Sequence, residues 1–258
     1  MADWNPALYL RFAQERTRPA SELLARVEHT GPTRVVDLGC GPGNSTELLV
    51  QRFPQAHVLG VDNSAAMLTQ ARERLPDLAF DQADIADWAP SQAPDLIYAN
   101  AALQWVGGHA QLFPRLFAAL APGGVLAVQM PDNFTEPSHL LMREVAALPQ
   151  FAPHIDAKVA AGRAILGIHD YYDLLAPLAR QVDVWHTVYQ HPMADAQAIV
   201  QWLRGTGLKP FVDPLPEALQ KAFLEEYERR VALAYSPRAD GLRLLAFPRL
   251  FIVAKRAP

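Results

Sequence analysis

Asp37-Leu38-Gly39-Cys40-Gly41-Pro42-Gly43-Asn44-Ser45-Thr46, entered from Val35-Val36, reads as a glycine turn leaving a buried strand with a carboxylate at its mouth. Glycines at alternate positions let the backbone turn sharply and approach a ligand closely, because no Cβ intervenes. Dinucleotide-binding turns work this way, but they receive a pyrophosphate. An ionised Asp37 would repel that group where a helix start should attract it. A ligand carrying an ammonium or sulfonium group meets no such conflict. The third glycine of the dinucleotide fingerprint also falls at Asn44, so that pattern is incomplete. Asn44, with Glu47 three residues on, reads instead as a helix N-cap close to a capping box.

Val58-Leu59-Gly60-Val61 reads as a short buried strand that delivers Asp62 about 20 residues beyond the turn, the place for a carboxylate that accepts both hydroxyls of a ribose. Asp84 follows a third strand-like run ending at Phe80 and is placed to take an adenine amino group, with the backbone at Ile85 reading a ring nitrogen. Glycine turn, ribose acid and adenine acid in this order describe a site for a cationic adenosine ligand, S-adenosylmethionine.

The chain has 258 residues, half of them hydrophobic, enough for one large domain or one domain with an insertion. A formal net charge of -4 without a Lys/Arg run argues against nucleic-acid or membrane-surface partners, so any anionic substrate needs a local basic cluster. The single cysteine, Cys40, excludes internal disulfides and suits a reducing compartment; its place in the glycine turn is explained by small size. The eight histidines show no HExxH or paired-ligand spacing, so no metal is expected. No secretory signal is evident and no apolar run reaches the ~18 residues of a membrane span, which sets the expectation of a soluble, cytoplasmic protein.

Helices are expected ahead of the sheet, ending in the stretch Ser21 to Val27 that Pro19 is placed to begin. Strands over 34–38, 57–61, 78–82, 96–98 and 125–129 then alternate with helical patterns such as Leu112, Leu116 and Leu120, four apart. This α/β rhythm predicts a doubly wound, mostly parallel sheet with its ligand at the carboxyl ends of the strands. A helix around 171–180, a strand over 183–189 and a last strand over 242–254, broken or bent at Pro248, follow. The stretch 191–240 reads as an insertion of two helices, the second striped by Leu219, Phe223, Tyr227 and Val231. The organisation expected is an N-terminal helical lid over 1–30, a cofactor-binding core over 31–131, connecting helices and strand six over 132–190, a helical cap over 191–240 and a final strand over 241–258.

The runs Asp37 to Gly43, Gly60 to Ser64, Asp81 to Trp88, Pro94 to Trp105 and Leu120 to Met130 resemble class I methyltransferases, and imply a Rossmann-like seven-stranded sheet whose last strand is antiparallel. A closer resemblance covers almost the whole chain. Asp3-Trp4-Asn5-Pro6-Ala7-Leu8-Tyr9-Leu10, Glu15-Arg16-Thr17-Arg18-Pro19, Asn100-Ala101-Ala102-Leu103-Gln104-Trp105, Val128-Gln129-Met130-Pro131-Asp132-Asn133 and Phe247-Pro248-Arg249-Leu250-Phe251 are similar to the trans-aconitate methyltransferase family. That resemblance implies methyl transfer from S-adenosylmethionine to a carboxylate of a small tricarboxylate, leaving S-adenosylhomocysteine. The cofactor set it implies is Tyr9, Asp37, Gly39, Cys40, Gly41, Asn44, Asp62, Asn63, Met67, Asp84, Ile85 and Asn100; Tyr9 and Phe12 read either as a lid or as packing.

A carboxylic acid with a solution pKa near ~4 is already ionised at neutral pH, so no catalytic base is required. Gln104 and Trp105, just past the fourth strand, are expected to position the acceptor and exclude water, against the alternative that Trp105 covers the sheet end. A tricarboxylate needs guanidinium groups, which match carboxylate geometry. The candidates in order are Arg249, Arg204, Arg163 and Arg16, each with a salt-bridge alternative, and Tyr171 and Tyr172 are either hydroxyl donors or core. The competing functions are methylation of another small acid or of an oxygen or nitrogen acceptor, a nicotinamide oxidoreductase, and a cofactor-binding protein without turnover. The oligomeric state is not legible.

Overall fold

The computed structural model describes residues 13–29, 31–161 and 165–258, without the side chains of 13–16 and 161. Tyr9, Phe12 and Arg163 lie outside the described residues, and so does the Arg16 side chain. Helix α1 (Ala13–Ala25) precedes an alternation of β1 (Arg34–Leu38), α2 (Asn44–Arg52), β2 (His57–Asp62), α3 (Ala65–Arg74), β3 (Ala79–Gln82), β4 (Leu96–Asn100), α4 (His109–Ala118) and β5 (Val125–Pro131). The rest comprises α5 (Pro137–Ala146), α6 (Ala157–Ala161), α7 (Ile168–Leu175), β6 (Gln181–Met193), α8 (Ala196–Arg204), α9 (Lys209–Val212), α10 (Glu217–Ala234) and β7 (Arg243–Lys255).

Seven strands form one sheet in the order β3-β2-β1-β4-β5-β7-β6. β1 to β5 pair in parallel, with Asp37 opposite Gly60 on one side and Tyr98 on the other. β4 and β5 are buried almost throughout, as expected of parallel strands covered on both faces. β7 runs the other way: Arg256 N–H donates to Gly124 O before β5 begins, and Asp132 N–H donates to Pro248 O after β5 ends. β6 in turn is antiparallel to β7, since Arg180 N–H at its start meets Lys255 O at the other strand's end. The strand order reverses between β1 and β4, and α/β sheets bind ligands outside the carboxyl ends at such a reversal.

The chain divides into two compact units. One holds the chain up to Pro131 with Leu166–His186 and Leu250–Pro258; the other holds Asp132–Ile165 and Thr187–Arg249. In the first, the buried Tyr98 hydroxyl donates to Ala20 O of α1 at 2.6 Å and ties that helix to β4. In the second, α10 buries Phe223, Tyr227 and Val231 while Leu219 is half-buried, and packs against α5 and α8. Tyr227 donates to Ser138 O at 2.8 Å, and the Tyr235 hydroxyl accepts the Ser138 N–H at 3.0 Å, satisfying an amide at the start of α5.

Several elements depart from the sequence expectation. Pro19 lies inside α1, which begins six residues earlier, at Ala13. α7 begins at Ile168, not Tyr171, because Asp170 accepts the Gly167 N–H at 2.9 Å and caps an earlier start. The stretch after β6 holds three helices. Pro248 does not interrupt β7, since the group it brings to Asp132 is its carbonyl, which proline retains.

Gly60 shows how tightly the two strands nearest the turn are packed. A Cβ there would lie 2.5 Å from the Phe80 ring and 3.1 Å from Cys40 Sγ, within the cluster of Cys40, Leu68, Ala71 and Phe80. Gly60→Ala should therefore lower stability by about 1–3 kcal/mol through overpacking, read as a lower urea midpoint at unchanged m-value.

Candidate active site

Gly39, Gly41 and Gly43 all have positive φ, at 80°, 53° and 87°. A Cβ on Gly39 would lie 2.2 Å from Ala102 Cβ, so the turn after β1 touches the turn after β4 and only glycine permits it. A Cβ on Gly41 would meet nothing within 4 Å, so its side of the turn is open. Gly39 and Cys40 N–H both donate to Val61 O, at 2.7 and 3.0 Å, which holds the turn over the end of β2. The Cys40 thiol packs behind the turn, and burial pushes it well above its ordinary range, so it is no nucleophile. Asn44 is not the N-cap. Gly43 holds that position, while Asn44 Oδ1 accepts from Arg74 at 2.6 Å and Glu47 receives the same guanidinium at 2.5 and 3.1 Å. A cation on the neighbouring helix displaces the capping box that local spacing suggested.

Asp37 is fully buried. Its Oδ2 accepts from Ser45 Oγ at 2.7 Å and Thr46 Oγ1 at 2.6 Å, while Oδ1 has no hydrogen-bond partner. Burial pushes the carboxyl up to about 6, against the pull of the Thr46 and Ser45 hydroxyls, and the charge of Asp62 adds to the rise. Asp62 Oδ2 accepts the Gly41 N–H at 2.9 Å and Oδ1 the Ser64 N–H at 2.8 Å. Each oxygen keeps a further lone pair for a ligand hydroxyl. Asn63 and Met67 are exposed beside it, with Ser64 capping α3.

Asp84 is exposed and its Oδ1 accepts the Ala86 N–H at 2.8 Å. Arg115 of α4 reaches under this loop and donates to Ile85 O at 2.8 Å, Ala86 O at 2.9 Å and Trp88 O. One guanidinium thus fixes the carbonyls of Ile85, Ala86 and Trp88. At the end of β4, Asn100 Oδ1 and Gln104 Oε1 are buried without hydrogen-bond partners. Gln104 Nε2 donates to Ala101 O at 2.6 Å, so the oxygen is the unpaired end of that amide. Trp105 is 68% exposed and does not serve as a buried cover for the sheet end.

The candidate substrate groups separate. Arg249 is buried in the second unit with its guanidinium 4.9 Å from the Phe247 ring centroid, and follows the residue whose carbonyl takes Asp132 beyond β5. Arg204 is paired with Asp213 at 2.7 Å, which supports its structural reading. Tyr171 is fully buried and its hydroxyl meets His109 Nδ1 at 2.5 Å, so it is core, as helix α7 turns that face inward; Tyr172 is exposed. Sequence reasoning missed Ser45, Thr46, Arg115 and His109. The first two stood within the diagnostic string, and a hydroxyl pair eight and nine residues after a strand-end acid was the available signal; Arg115 and His109 carried none. Among the described residues no group of three His, Cys, Asp or Glu side chains is placed to hold a metal, and no helix is long and apolar enough to cross a membrane.

The Asp37 carboxyl has an ordinary value of 3.8 and sits at about 6 in the fold, so between those values the folded chain holds a proton the unfolded chain has released. The stabilisation this represents is full below 3.8 and is lost as pH rises through 6. Asp37→Asn removes the dependence. In ligand-free protein the stability of the variant relative to the parent should rise by about 1–3 kcal/mol between pH 4 and pH 7.5, measured by urea unfolding.

Residues 35–124 match the model of a methyltransferase domain family. Across 100% of both chains the sequence is 70% identical to a trans-aconitate 2-methyltransferase of Paracidovorax citrulli (strain AAC00-1), and across 99% of both it is 68% identical to one of Variovorax paradoxus (strain S110). In fold it is similar to phosphoethanolamine N-methyltransferase 2 of Haemonchus contortus, solved with phosphomonomethylethanolamine and S-adenosylhomocysteine, at a TM-score of 0.57 and 15% identity over 93% of this chain and 53% of that one. With the glycine turn, the strand-end acids and the seven-stranded sheet, these likenesses establish that the chain belongs to the trans-aconitate 2-methyltransferase family of S-adenosylmethionine-dependent methyltransferases.

Proposed function

We propose that this chain transfers the methyl group of S-adenosylmethionine to one carboxylate of trans-aconitate, giving the monomethyl ester and S-adenosylhomocysteine. The observation that carries the cofactor half is the set of three buried acceptor oxygens without donors, Asp37 Oδ1, Asn100 Oδ1 and Gln104 Oε1, on two turns that meet at Gly39 and Ala102. Buried acceptors left unpaired are costly, so this cleft favours a ligand rich in N–H and positive charge over a phosphate.

When bound, S-adenosylmethionine supplies a methyl group on a cationic sulfur, open to attack by an anionic oxygen. Asp62 is the residue for the ribose hydroxyls, and Asp84 with the Ile85 N–H for the adenine edge. The open side of Gly41 is where the ligand comes nearest the backbone, bordered by Gly39, Cys40, Asn63 and Met67; Tyr9 belongs to the same proposal. Asn44, held by Arg74, has a supporting role behind the turn.

The substrate carboxylate is ionised at neutral pH, so acceleration comes from placement, for which well-oriented reactants can gain about 7–11 kcal/mol. Arg249, a buried guanidinium of the second unit, is the group assigned to a second carboxylate of the substrate. Gln104 keeps one N–H beyond its bond to Ala101, available to position the acceptor, and its unpaired oxygen is assigned to the cofactor side. Trp105 supplies an apolar wall against water. Cytoplasmic residence is part of this reading, since a single buried thiol suits a reducing compartment.

Incubating the protein with S-adenosylmethionine and trans-aconitate, beside cis-aconitate, citrate and isocitrate, should yield ester chiefly from trans-aconitate, at a rate nearly flat from about pH 7 to 9 as a pre-ionised nucleophile requires. Ester from none of the four acids overturns the assignment. In the same assay Arg249→Ala should raise KM for the acid and leave S-adenosylhomocysteine affinity intact. Asp62→Ala should weaken binding of S-adenosylmethionine and S-adenosylhomocysteine by more than about tenfold by calorimetry, the scale of a hydrogen bond to a charged group.

A further inference from the structure

The turn that carries Gln104 is a single 3-10 turn, Leu103–Trp105, closed by Trp105 N–H on Ala102 O at 3.1 Å and Val106 N–H on Leu103 O at 2.9 Å. It is poorly built to stand alone. Such turns have strained hydrogen-bond geometry, and this one follows Ala101, a non-glycine residue at φ 54°. Something outside it must hold it in place.

His109, buried at the start of α4, does so. Its Nε2 lies 2.9 Å from the Leu103 carbonyl and its Nδ1 2.5 Å from the Tyr171 hydroxyl. A carbonyl only accepts, so Nε2 carries the hydrogen; in the neutral ring Nδ1 then accepts from Tyr171, whose oxygen accepts the Leu166 N–H at 3.3 Å. The tautomer is thereby set by the Leu103 carbonyl, and Tyr171, 62 positions away on α7, holds the ring by donating to its other nitrogen. Phe113 clamps the pair, its ring centroid 5.3 Å from His109 and 4.7 Å from Tyr171. The Leu103 carbonyl therefore receives two donors, one from within its turn and one from α4.

We propose that His109, oriented by Tyr171, is a positioning residue for methyl transfer. Its Nε2–H holds the Leu103–Trp105 turn in place, and through it the buried Gln104 oxygen at the mouth of β4. The kinetic part rests on the methyltransferase reading above; the mechanical part does not. His109→Gln places an amide N–H close to the position of Nε2, His109→Asn places one only near Nδ1, and His109→Ala places none. Amide hydrogen exchange over 101–108 in the ligand-free protein should be at least about tenfold faster in His109→Ala and His109→Asn than in the parent, and close to the parent in His109→Gln. The kcat on trans-aconitate should fall in the same order, at least about tenfold for Ala and Asn, since small misplacements cost rate steeply. S-adenosylhomocysteine affinity should weaken in the same order, because Gln104 Oε1 is one of the acceptors assigned to the cofactor.

Equal exchange and equal kcat for Asn and Gln overturn the proposal, because a role confined to packing does not separate them. A loosened turn with unchanged kcat overturns the positioning claim. If the His109 variants do not fold, Tyr171→Phe, which keeps the ring against Phe113, should still lower kcat, and unchanged kcat there overturns the proposal as well. A parent protein that makes no ester from trans-aconitate while the exchange pattern holds removes the substrate assignment and leaves the mechanical role of His109 standing.

Discussion

A carboxyl group sealed at the end of β1, with one oxygen satisfied by two hydroxyls and the other by nothing, is the constraint around which the site is organised. Burying such a group costs free energy, and the fold accepts the cost at a point where two loops already touch. Asn100 and Gln104 repeat the pattern from the neighbouring strand. Three acceptors waiting for donors give the cleft a chemical polarity, and that polarity separates an ammonium- and sulfonium-bearing ligand from a pyrophosphate.

Around this cleft the loops are held by side chains that do not themselves face a ligand. Arg74 binds the start of α2 through Asn44 and Glu47, Arg115 gathers carbonyls of the loop after β3, and His109 carries the turn after β4. Each is one long or aromatic side chain satisfying backbone or side-chain groups that sequence-local partners do not reach. Loops built this way are rigid without being regular, as placement-driven chemistry demands. The reading of methyl transfer to a carboxylate asks for little else, because the nucleophile arrives ionised.

Legibility tracked the range of the interactions. The strands, their order of appearance and the strand-end acids could be read because hydrophobic runs and glycine spacing are local signals. The reading failed where a distant partner competes with a local one. Asn44 and Glu47 have the spacing of a capping box, yet Arg74 lies 30 and 27 residues away and takes both. Tyr171 carried two readings, hydroxyl donor or core, and its burial and its hydrogen bond to a histidine 62 residues earlier support the core. Among the arginines, the ion pair with Asp213 supports the structural reading of Arg204, and that pair depends on α8 and α9 folding together.

From the sequence alone came the doubly wound sheet, the cationic adenosine ligand and the proposal of Asp37, Asp62 and Asp84 as its reading groups, since a strand followed by a glycine turn and an acid specifies backbone path and charge together. Only the tertiary structure decided that Asp37 is dry and lifted to about 6, that its unpaired oxygen is matched by two others on β4 and its turn, and that Arg115 and His109 hold the loops. The physical reason is that desolvation and hydrogen-bond satisfaction are properties of what packs around a group. Those neighbours come from elements far apart in the chain, and no local spacing encodes them.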